Sequence, residues 1–195
     1  KLKKLLNYIH PLLEDPPNNN YFDQYQFEYE QNSVVKLFFI VKSKLPNVVL
    51  DMFTELKNTF IKGSMKRKKL TLPPLINAIT LLCYQISTTI DHYKGLIQTN
   101  SKIREDFINE IDLTSLDEDK PFFVYLKSAY VLITESITAI EPECPKQAIK
   151  LYLNAASQVN SIQSNRKQFE ETYSIFINNS ISIFNDGQFD LEHKI

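Results

Sequence analysis

The residues able to do chemistry are few and scattered. His10, His92 and His193 stand far apart, and none is spaced from a thiol or carboxylate as metal ligands are. Cys83 and Cys144 belong to no Cys-x-x-Cys pair and sit in apolar, helix-like text. The expectation for both is a reduced structural thiol in a cytosolic protein. There is no Gly-x-Ser-x-Gly turn, and three glycines in 195 residues leave no phosphate-cradling loop. Glu14-Asp15 and Asp117-Glu118-Asp119 are carboxylate clusters in polar text. Nothing apolar surrounds them to shift a pKa, so solvated loop acids are the plain reading. The chain is therefore expected to hold no catalytic residue, no cofactor and no metal.

The sharpest charge feature is Lys66-Arg67-Lys68-Lys69. It could serve an acidic partner, anionic lipid or nucleic acid, or act as a nuclear import signal; a solvated connector beside a helix end is the favoured reading. Over the whole chain Lys+Arg is 22 and Asp+Glu is 23, a formal charge of -1. That balance argues against general nucleic-acid or membrane-surface binding. No apolar run approaches the ~20 residues of a membrane span, and no signal peptide is visible. Lys1 in place of Met raises the expectation of a segment cut from a longer protein.

The elements that position these residues read as helices. Hydrophobic residues are 43% and glycine is rare, which excludes wholesale disorder and turn-rich folds. Apolar spacing of three and four predicts roughly six or seven helices and no strands. A short helix over 2–13 is followed by 14–31, whose prolines, asparagines and tyrosines read as a loop insertion. Ser33 is a candidate cap for a helix to about residue 43. Pro46 opens the next, with Val49, Phe53, Leu56 and Phe60 inward and Gly63 as a left-handed stop. Thr71 is a cap candidate, with Pro73 and Pro74 in the first turn of a long helix carrying Leu75, Ile79, Leu82 and Ile86. Residues 99–120 read as a second insertion containing at most a short helix. Pro121 opens a strong helix through Leu126, Ala129, Ile133, Ile137 and Ile140. Pro145 opens another through Ile149, Tyr152, Leu153, Ala156 and Val159. Asn165 and Gln168 suit a capping box before a last helix through Phe169, Tyr173, Phe176, Ile177 and Phe184. Short connections force consecutive helices to be antiparallel neighbours. Their pairs run to roughly 40 residues, the HEAT-like period. The expected fold is all-α, an α-solenoid of HEAT-like pairs forming one segment over 1–195.

One string carries a resemblance. Leu70-Thr71-Leu72-Pro73-Pro74-Leu75-Ile76, running straight into a long apolar helix, resembles a stretch of the large subunit of retromer, the vacuolar-protein-sorting coat complex. As in that family, the string follows a helix and a Gly-containing basic loop, here Phe60-Ile61-Lys62-Gly63 through Lys69. The stretch Ile149-Lys150-Leu151-Tyr152-Leu153-Asn154-Ala155-Ala156 is similar to the family's Leu-Phe-Leu-rich helix, and 169–186 to the helix after it. The order holds across essentially all of the chain, with departures at Asn18–Asn20, in the basic loop and over 101–119.

The resemblance implies a non-enzymatic scaffold from the C-terminal half of that subunit. In the family this half curves around the phosphoesterase-fold subunit of retromer and covers its metal pocket. Its complex retrieves transmembrane cargo from endosomes to the Golgi or plasma membrane. The other retromer subunits would bind through parts absent here. Location would be cytoplasmic and peripheral on the endosomal membrane, with only indirect membrane association and no nucleic acid. Thr71, Leu72, Pro73, Pro74, Leu75, Ile76 and Asn77 are the expected partner contact, since prolines stiffen the segment and apolar side chains anchor it at low entropy cost. The competing view is that these leucines pack between helix pairs. The alternative function is a HEAT-like adaptor outside retromer that grips acidic partners with Lys66, Arg67, Lys68 and Lys69. A helical enzyme completed by missing sequence is the third possibility, disfavoured by the lack of any paired polar constellation.

Overall fold

Proline opens a helix at no cost, because the first turn's N–H groups have no intrahelical acceptor. Pro46, Pro121 and Pro145 each hold that position. The computed structural model describes residues 24–40, 45–99, 121–161 and 166–186, besides Lys4, and side chains over 24–36, 45–88, 124–161 and 169–186. Among them run six helices: α1 (Gln24–Ile40), α2 (Pro46–Phe60), α3 (Met65–Thr99), α4 (Pro121–Thr138), α5 (Pro145–Asn160) and α6 (Arg166–Asp186). No strand occurs among the described residues.

Packing follows chain order. The main contacts join α1 to α3, α2 to α3 and α4, α3 to α4 and α5, α4 to α5, and α5 to α6. Tyr130 of α4 extends the series, meeting Phe169 and Phe176 of α6 edge-on at 5.6 and 5.9 Å between centroids. Counted over the described helices, none of these pairings reaches more than two helices along. That is the signature of a solenoid, in which each unit buries its apolar stripe on its neighbours only. Two layers result, α1/α3/α5 and α2/α4/α6. Between them lies one continuous core, including Leu56, Phe60, Leu72, Ile79, Ile133, Ile137, Tyr152 and Phe176.

Four local expectations change. Residues 24–31 are helix, not loop, because Phe27, Gln31, Val34 and Val35 make a buried stripe at helical spacing. Ser33 is therefore not a cap: it lies inside α1 and its Oγ donates to the Tyr29 carbonyl at 2.8 Å. The helix expected from Thr71 begins at Met65, so Lys66 to Lys69 form its first turn and Pro73 and Pro74 lie inside it. The carbonyls of Lys69 and Leu70 lose their i+4 amide donors there. Burial of Arg67 and Leu72 and the helix propensity of the lysines outweigh that loss. Gly63 is not in the left-handed region; its lack of a side chain makes room for Arg67, whose Cδ would lie 2.8 Å from an added Cβ.

Met65–Thr88 is also long and apolar enough, by length and composition, to cross a membrane, although 61% of its most apolar window is buried inside the protein. Residues 2–13 apart from Lys4, 14–23 and 100–120, Asn165 and the side chain of Gln168 lie outside the described residues.

Candidate partner-binding surface

The basic run does not present four cations. Arg67 is 2% exposed and points into the seam between α1 and α3. Its Nη1 donates to Gln31 Oε1 at 3.1 Å, and its guanidinium carbon lies 5.6 Å from the Phe27 ring centroid. Planar delocalised charge suits such a site better than an ammonium does. Lys69 Nζ pairs with Glu143 Oε2 at 3.2 Å, tying α3 to the turn before α5. Lys66 is exposed and Lys68 half-buried.

The string from Thr71 to Asn77 divides in the same way. Thr71, Leu72, Pro73, Leu75 and Ile76 are buried, Pro74 is half-buried, and Asn77 alone is exposed. The hydroxyl of Thr71 donates to the Arg67 carbonyl at 2.9 Å. Leu72, Leu75 and Ile76 thus pack between helices. Asn77 starts an outer stripe that continues along α3 at helical spacing with Leu81, Tyr84 and Thr88. Leu81 is 56% exposed and Tyr84 50%.

A matching stripe runs along α5 through Lys146, Lys150, Leu153 and Ser157. Leu153, expected inside, is 45% exposed. Two tie points set the register of these helices. Near their starts, Lys69 meets Glu143. Farther along, Tyr130 of α4 donates to Gln158 Oε1 at 3.2 Å and neighbours the buried, neutral Cys83 of α3. Helices α3 and α5 therefore run parallel, which brings Leu153 level with the step from Asn77 to Leu81. Helix α3 packs on α4 and α2, and α5 chiefly on α6, all of the other layer, so both outer stripes face away from that layer.

Beneath this surface the polar groups are structural. Burial pushes the Cys83 thiol far above its usual range. It does the same to the Tyr130 hydroxyl, with the neighbouring Cys83 adding to the shift and the Gln158 bond opposing it. An unreactive thiol and a neutral phenol have no nucleophilic use. No group of three or more His, Cys, Asp or Glu residues that could hold a metal occurs among the described residues. His10, His193, both loop carboxylate clusters and the His92 side chain lie outside them.

The family model for Vacuolar protein sorting-associated protein 35 matches residues 1–195. The chain belongs to the Vps35 family. This is the retromer large-subunit family that the 70–76 string resembles. Vacuolar protein sorting-associated protein 35A of Arabidopsis thaliana is 26% identical over 164 residues, covering 71% of this chain and 21% of that protein. The chain thus spans about a fifth of that Vps35 relative's length. No solved structure matches.

The exposed positions of this stripe could not be picked from apolar spacing, which marks Leu81 and Leu153 as readily core as surface. A different signal was present. Over 65–88 and 145–160 the sequence contains no Asp and no Glu.

Proposed function

We propose that this chain is a non-enzymatic scaffold segment of a retromer large subunit. It binds the phosphoesterase-fold retromer subunit through the outer face of α3, from Asn77 through Leu81 to Tyr84. The supporting observation is that this stripe is solvent-exposed on a helix whose opposite face is packed on four others. A rigid, pre-formed helix face offers apolar anchors without ordering cost on binding. The remaining retromer subunits bind elsewhere on the full-length large subunit. Work in cargo retrieval is then peripheral to the endosomal membrane, with membrane contact made through those partners.

Titration against the phosphoesterase-fold subunit tests this. The double variant Leu81→Ser/Tyr84→Ser is expected to bind more than about tenfold more weakly, a loss of roughly 1.4 kcal/mol or more, with unchanged helical circular dichroism. Unaltered affinity would remove α3 from the interface. Silence at tens of micromolar, with the full-length protein silent too, would remove the partner.

The reading as an adaptor gripping acidic partners by the basic run alone is the weaker one. Arg67 is spent inside the protein and Lys69 on Glu143, which leaves Lys66 and Lys68.

A further inference from the structure

The chain is nearly charge-balanced, yet its layers are not. Exposed carboxylates of the described helices lie mainly on α2, α4 and α6, as Asp51, Glu55, Glu135, Glu170, Glu171 and Asp186. Glu28 and Glu30 of α1 accept hydrogen bonds from Gln24 and Gln26, both at 3.1 Å. Between them α3, over 65–88, and α5 hold no carboxylate at all. Because these two helices lie side by side and parallel, the cations of their outer stripes gather at one end, Lys66 with Lys146 and Lys150, beside the Lys69–Glu143 pair. The positive ends of both helix dipoles point the same way and raise the potential there. This placement opposes helix stability, since cations are disfavoured in a first turn. Farther along, the same surface is uncharged and partly apolar, with Leu81, Tyr84 and Leu153.

We infer that the α3–α5 surface takes a protein partner that sets carboxylates against Lys66 and Lys150 and an apolar patch against Leu81, Tyr84 and Leu153. The inference rests on the reading above and names the chemistry of that contact. Charge at one edge and anchors at the other fix the orientation of the bound subunit, because a docking turned end for end would leave the carboxylates on uncharged surface. A lipid surface is disfavoured because the apolar residues sit beyond the cations along the helices instead of among them.

The test is the affinity of the intact chain for the phosphoesterase-fold retromer subunit. With Lys66→Glu/Lys150→Glu it is expected to fall about tenfold at low salt, and the wild type's loss of affinity between 50 and 500 mM salt, roughly tenfold, should largely vanish in the variant. Asp51→Lys/Glu55→Lys, a charge change of the same size and opposite sign on the other layer, should stay within about twofold. If the lysine variant binds like wild type while Leu81→Ser weakens binding, the partner presents no carboxylates there and the inference fails alone. If the wild type does not bind, both fall. Binding to phosphatidylserine vesicles, lost in the lysine variant, with no binding to the subunit, would overturn the inference in favour of lipid.

Discussion

Arg67 Nη1 donates to Gln31 Oε1 across 3.1 Å in the seam between α1 and α3. The two residues lie 36 positions apart in the chain. Their bond, with the Phe27 ring beside the guanidinium, is the polar centre of an otherwise apolar contact. Truncating one member of such a pair strands the other. Arg67→Ala is expected to destabilise the chain by about 2–4 kcal/mol. Amide hydrogen exchange should show α1 losing protection first. Arg67→Lys should recover less than half, because an ammonium cannot lie flat on the ring while reaching Gln31.

Gly63 is tied to the same residue. A methyl group there would meet Arg67 Cδ at 2.8 Å. Gly63→Ala should cost about 1–3 kcal/mol, the usual range for overpacking. In the Arg67→Ala background the same change should cost under about 1 kcal/mol, since the clashing atom is gone. Urea midpoints of the four proteins measure the coupling.

Gln158 Nε2 is buried without a hydrogen-bond partner, while its Oε1 accepts from Tyr130. Tyr130→Phe should cost about 0.5–1.5 kcal/mol. Tyr130→Phe/Gln158→Met removes both polar ends together, keeps the ring against Phe169 and Phe176, and is expected to be at least as stable as wild type. Thermal unfolding of the two variants distinguishes these outcomes.

Stability should fall in alkali. Burial raises the pKa of Cys83 from its usual 9.0, and those of Tyr130 and Tyr152 from 10.0. Each group is held protonated and neutral in the folded state. Its contribution is complete below the unfolded-state pKa and declines as pH rises toward the folded one, because only the unfolded chain releases the proton. The urea midpoint should therefore hold level for these groups up to about pH 8 and drop steadily from pH 9 to 11. Cys83→Ala/Tyr130→Phe should flatten that drop.

The thiols should separate by accessibility. Cys83 is fully buried, and Cys144, in the turn before α5, is half-buried. With iodoacetamide at pH 8, Cys144 should label within the hour and Cys83 only with global unfolding. Labelling of both at one rate in native buffer would contradict the packing around Cys83.

Much of the architecture was legible from apolar spacing. The stripes through Phe53, Leu56 and Phe60, and through Leu126, Ala129, Ile133, Ile137 and Ile140, are buried as their period demands. The prolines at 46, 121 and 145 marked helix starts for a local reason that tertiary contacts do not alter. Pro73 and Pro74 misled because the same rule gives way when enough burial lies on both sides of a proline. Residues 24–31 misled because a polar, tyrosine-rich composition hid the buried stripe of Phe27, Gln31 and Val34.

What the sequence determined by itself is the helical class, the order of the hairpins and the membership signalled by the string from Leu70 to Ile76. These depend on neighbours three or four residues apart and on short connections, all local quantities. Only the tertiary structure decided which charges and which leucines face water. A lysine-rich turn and an apolar stripe read alike whether another helix covers them or not. Arg67 is interior because α1 returns over it, and Leu81 is exterior because none of the described helices does.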